Sequence, residues 1–121
     1  MLEKLIAFLT SKGYTNVYQD FQPEDVDEII AIYCWDKVAA AMHDGTANHL
    51  IQLRVRRYDY AAAMSVCNAI AALLDSGAAQ TPIPLGHAGA VIGRIRRLPI
   101  ILDRTETTVT VYAELALWGQ I

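Results

Sequence analysis

Along residues 50–74, LIQLRVRRYDYAAAMSVCNAIAALL, the spacing of apolar positions changes once, which predicts a strand running directly into a helix. Ile51, Leu53 and Val55 alternate with Gln52, Arg54 and Arg56, the period of two expected of a strand with one buried face. From Ala61 onward, Ala63, Val66, Cys67, Ile70, Leu73 and Leu74 recur at steps of three and four, which lines one side of a helix. Asp59 is the expected N-cap, because its carboxylate can accept the unpaired amide hydrogens of the first turn. Gly77 is the expected stop. The alanines between the larger residues let this helix lie close against a sheet.

The same reading extends along the chain. Leu2, Leu5, Ile6 and Leu9 predict a short amphipathic helix ending near Gly13. Residues 16–18 form a short strand, followed by a loop at Gln22 and Pro23 and then the acidic run Glu24, Asp25, Asp27, Glu28. Residues 28–35, EIIAIYCW, read as a strand apolar on both faces and therefore central in its sheet. Residues 36–48 lack strand character and contain Asp44-Gly45, so they predict a connection with a helical turn at 38–42. Residues 77–89 are a loop rich in glycine and proline, and residues 90–97 a strand carrying arginines. Pro99 marks an edge or a break before residues 100–102. A turn at 103–107 leads to a last strand, in which Val109, Val111, Ala113, Leu115 and Leu117 face one way. The order α-β-β-β-α-β-β predicts an α+β fold over residues 1–121 as one domain. Its expected form is a mostly antiparallel sheet of four to five strands with two helices packed on one face.

Composition adds a constraint. The apolar fraction is 54%, yet no apolar run approaches the roughly 20 residues of a membrane-spanning helix. MLEKLIAFL carries Glu3 and Lys4 and does not read as a signal peptide. The surplus suits either a well-filled core or a surface covered by other chains. Cys34 and Cys67 sit within apolar runs and read as small buried thiols.

Charge is unevenly distributed. Residues 1–50 hold eight acids and three bases, net −5, whereas residues 51–121 hold five acids and seven bases, net +2. The total of −3 argues against a general nucleic-acid binder. Acidic and basic segments on one small domain suit head-to-tail contact between copies of the chain.

Signals for catalysis or cofactors are weak. His43, His49 and His87 lack metal-ligand spacing and read as solvated polar residues. Ser11, Ser65 and Ser76 fall in or beside helices, none in a strained nucleophile turn. The acidic run lacks the glycine and distal glutamate of a calcium loop. Gly86, Gly89 and Gly93 precede a strand rather than a helix, so they read as a flexible loop and not as a phosphate cradle. The expectation is no enzyme, no metal and no cofactor.

The arginines are more informative. Arg54 and Arg56 project from the polar face of their strand, and Arg94 and Arg96 are expected on the same side of theirs. Guanidinium groups gathered on one face need acceptors. Local partners such as Glu114, the acidic run of a neighbouring subunit, or DNA passing nearby could each supply them. The expected interface sets Arg54, Arg56, Arg94 and Arg96 against Glu24, Asp25, Asp27 and Glu28.

Gln52-x-Arg54-x-Arg56, a short turn and the alanine-rich helix ending in residues 70–74 together resemble a family of phage proteins. These are the tail terminator, or minor capsid, proteins of phages with long non-contractile tails. The N-terminal helix and LPIILDRTETTVTVYAELALW are similar to that family's opening helix and closing hairpin. This sequence departs where relatives often carry a glycine beside Asp103-Arg104. The resemblance implies a virion protein of the tail or neck, assembled in the host cytoplasm. It would form a hexameric ring of itself, stop the polymerisation of tail-tube protein and meet the head connector, with DNA at most passing through. A small α+β ligand-binding or regulatory domain that homodimerises is the alternative.

Overall fold

The computed structural model describes residues 2–39, 47–85 and 90–119. Its elements are α1 (Leu2–Ser11), β1 (Val17–Gln19), β2 (Ile29–Ala39), β3 (Ala47–Arg57), α2 (Tyr60–Leu73), β4 (Ile83–Pro84), β5 (Ala90–Arg104) and β6 (Val109–Gly119). The strands form one sheet in the order β1-β2-β3-β6-β5-β4. All neighbours are antiparallel except β1 and β2, which run parallel. The architecture is thus α+β as expected, but with a mixed sheet of six strands rather than four to five. The additional strand, β4, is a two-residue pairing of Ile83 and Pro84 with Val91 and Ala90.

The two helices cover the same face. Ile51, Leu53 and Val55 stand opposite Cys34, Ile32 and Ile30 on one side and Leu115, Ala113 and Val111 on the other. Leu5 and Leu9 of α1 join this core with Ala63, Cys67, Ile70 and Ala71 of α2. Each Leu or Ile fully buried here contributes about 1.5–3 kcal/mol of transfer free energy. The ends of α1 and α2 follow local chemistry. Gly13, at φ 95°, and Tyr14 donate to the carbonyls of Thr10 and Leu9, the paired bonds of a glycine-terminated helix. Asp59 caps α2 by accepting from the Ala62 amide at 2.7 Å. Gly77, at φ 73°, lies beyond the last residue of α2 and shapes the following turn, where the Gln80 amide donates to its carbonyl. Leu74, not a glycine, ends the helix.

Four expectations are corrected. Residues 36–39 and 47–48 are strand, since Asp36 to Ala39 pair with Leu50 to Ala47 beyond a bulge after Cys34. Cross-strand pairing there outweighs weak intrinsic propensity. The expected helical turn falls partly on strand, and residues 40–42 lie outside the described residues. β2 is not central; its only neighbour on one side is the three-residue β1. Its second apolar face, Ile29 and Ala31, is nevertheless fully buried. Of the edge or break expected at Pro99, the edge holds and the break does not: β5 runs on through it, with register shifts at 95–97, 97–100 and 101–103.

Gly93 is the fourth, since it is strand rather than loop. A Cβ there would sit 1.8 Å from the Leu74 carbonyl oxygen, so only glycine lets the end of α2 meet β5. Ser76 locks the junction: its amide donates to the Gly93 carbonyl at 2.8 Å, and its Oγ accepts from the Gly93 amide at 2.9 Å. Gly86 and Gly89 lie outside the described residues.

Candidate functional site

Alternation along β3 sends Arg54 and Arg56 to the face of the sheet opposite the helices, as expected. Their partners were not expected. Arg56 Nη1 donates to the main-chain oxygens of Pro23 at 2.7 Å and Val26 at 2.9 Å. Arg54 donates through Nε to Gln52 Oε1 at 2.7 Å and through Nη1 to Gln22 Oε1 at 3.2 Å. Its guanidinium also lies 4.4 Å from the centre of the Tyr33 ring. Arg57 donates to the carbonyls of Ile29 and Arg56. Arg54 and Arg56 thus fasten residues 22–26 over the sheet of their own chain, Arg57 ties β3 to β2, and among the described residues no carboxylate accepts from any of the three.

The acidic run stays in water. Glu24, Asp25, Asp27 and Glu28 are all exposed. Asp27 accepts from the Tyr58 hydroxyl at 3.2 Å, and its negative charge, that hydrogen bond and the nearby Glu28 raise the Tyr58 pKa above the usual phenol value.

Arg94 and Arg96 are exposed on β5, and neither has a hydrogen bond or ion pair among the described residues. They do not gather with Arg54 and Arg56. Arg54 stands opposite Tyr112, whereas Arg94 stands opposite Ala116 on the far side of β6. Two strand spacings and four residues therefore separate them, roughly 16 Å by ideal sheet dimensions. The bulge after Ile95 brings Arg97, not Arg96, opposite Glu114. Their contact is long, 3.7 Å, with side chains 52% and 27% exposed, and adds little to stability.

Between the fastened segment and the β5–β6 turn lies an open cleft of about 670 Å³. Arg54 and Arg56 border it with the carboxylates of Asp20, Glu24, Asp27 and Asp103. The turn contributes hydroxyls, of which Thr105 Oγ1 bonds Thr108 Oγ1 at 2.8 Å. The threonine wall and exposed Phe21 escaped the sequence reading, for which an aromatic in an otherwise polar loop was the available signal.

His49 corrects another expectation: it is 4% exposed, on the same strand face as Ile51. His43 and His87 lie outside the described residues. Cys34 and Cys67 are not joined in a disulfide. Cys34 is half-buried rather than buried, whereas Cys67 is fully buried and its pKa is pushed up to about 12 by desolvation. No group of three or more ligating side chains suited to a metal occurs among the described residues.

No family model matches the sequence, and no curated protein does. Solved structures do match. A chain in the virion of the native gene transfer agent particle shares the fold with a TM-score of 0.65 at 16% identity. The match covers 97% of this chain and 89% of that one. At such low identity, the fold is what the two chains share.

Proposed function

We propose that the protein is a structural, non-catalytic virion component: a tail terminator that assembles with copies of itself into a ring. The ring caps the tail tube, halts its polymerisation and offers a surface to the head connector, so the protein resides in the tail or neck of the particle. DNA meets the ring only in passage. The supporting observation is the end-to-end fold correspondence with a virion chain, covering 97% of this one. Unlike charged segments on one domain support repeated contact between copies.

The experiment is a length assay on polymerising tail-tube protein. Added in substoichiometric amounts, this protein should bind tube ends and shorten or arrest growth. Tubes of unchanged length with no bound protein would overturn the reading.

The cleft favours a second reading, a ligand-binding domain that homodimerises. Its border carries four carboxylates against two guanidinium groups already engaged by their own chain, which disfavours small anions. A metabolite panel in a thermal-shift assay separates the readings, because a ligand specific to the folded state raises the melting temperature.

A further inference from the structure

The exposed apolar residues are not scattered. Four of the eight large ones among the described residues, Leu98, Ile100, Ile101 and Leu102, fall within five consecutive positions of β5, interrupted only by the buried Pro99. Leu98 is 68% exposed. β4 pairs with β5 only at Ala90 and Val91, so this run forms an edge of the sheet. An edge of that kind attracts a partner. Pro99 offers no amide, and three register shifts break the ladder, so main-chain strand addition is blunted. Contact would come through side chains. Beside the strip stand Arg94 and Arg96, with no ionic partner among the described residues.

The opposite edge carries the complement. Phe21 is 58% exposed and held edge-on against Tyr18 of β1 at 6.0 Å. Glu24 and Asp25 follow it and project into water. β1 and β5 are separated by β2, β3 and β6, roughly 19 Å at ordinary strand spacing.

Building on the ring reading, we infer that the β5 edge strip of one copy docks on the Phe21 and acidic edge of the next. The apolar strip meets the Phe21 ring, and Arg94 and Arg96 meet Glu24 and Asp25. Because the two patches are unlike, and lie on either side of the cleft that Glu24 and Asp103 border, the contact is head-to-tail and repeats until it closes. Arg54 and Arg56 take no part, being bound within their own chain.

Two variants test this in sedimentation velocity. Leu98→Asp with Ile101→Asp damages the strip; Glu24→Lys with Asp25→Lys damages the acidic edge. Each should be monomeric alone, and an equal mixture should stop at a 1:1 dimer, because only one intact pair of patches remains. A strip variant that assembles as well as the unaltered chain, or a mixture that regains full size, overturns the inference and leaves the ring reading standing. An unaltered chain that stays monomeric with and without tube ends removes both. If circular dichroism shows the strip variant misfolded, Arg94→Glu with Arg96→Glu replaces it; combining that pair with Glu24→Lys and Asp25→Lys in one chain should restore assembly. Failure to restore it counts against the pairing.

Discussion

Arg56 donates to the main-chain oxygen of Pro23 at 2.7 Å, across 33 positions of sequence. This bond and its companion to Val26 hold the acidic segment over the sheet by main-chain carbonyls, leaving its carboxylates exposed to water. Arg56→Ala should therefore lower stability by about 2 kcal/mol and open residues 20–28 to proteolysis. Arg56→Lys should recover only part of this: both bonds leave one nitrogen, Nη1, which an ammonium could imitate, but the lysine stem is one atom shorter. Chemical denaturation and limited proteolysis check both; unchanged cleavage in Arg56→Ala would show that the segment is held by something else.

Arg94 and Arg96 should behave in the opposite way. With no partner among the described residues, alanine at either position should change stability by less than about 0.5 kcal/mol. The same changes should weaken self-association, and more so at low salt, where exposed charges are least screened. Melting temperature and sedimentation at two ionic strengths separate these effects.

Gly93→Ala should be among the most damaging small substitutions. Its Cβ would meet a backbone carbonyl, which cannot swing aside as a flexible side chain could. A loss of about 3 kcal/mol is expected, read as a lower urea midpoint with an unchanged slope. A midpoint equal to that of the unaltered chain would contradict the tight junction between α2 and β5.

Cys67 sets an alkaline limit. Its folded pKa of about 12 exceeds the value of about 8.5 for an unfolded thiol, so the unfolded chain releases this proton first. The contribution is intact below about pH 8.5 and declines by roughly 1.4 kcal/mol per pH unit until pH reaches the folded value. Cys67→Ala should flatten the stability profile between pH 9 and 11 relative to the unaltered chain, as measured by urea unfolding. Parallel profiles would contradict it.

The parts legible in the sequence were those set by local periodicity. The strand-to-helix junction, the Asp59 cap and the long β5–β6 hairpin follow from spacing within about ten residues. His49 was legible too: it continues the His49, Ile51, Leu53, Val55 alternation and so belongs on the buried face. β4, the direction of β1 and the extension of β2 depended on which partner strand lay alongside, which no local pattern encodes. The fastening of residues 22–26 was hidden for a different reason. Arg56 is satisfied by carbonyls that every residue carries, so the acidic side chains nearby were the wrong place to look. Bulges in β5 likewise shifted the position opposite Glu114 from Arg96 to Arg97.

The central claim is that copies of this chain join head-to-tail into a closed ring. Native mass spectrometry of the purified protein over a range of concentrations, with electron microscopy of the same sample, tests it most directly. A closed ring gives one discrete species, six times the 13.3 kDa chain mass and ring-shaped in projection. A 13.3 kDa monomer at every concentration, or a symmetric dimer with no larger species, would contradict it.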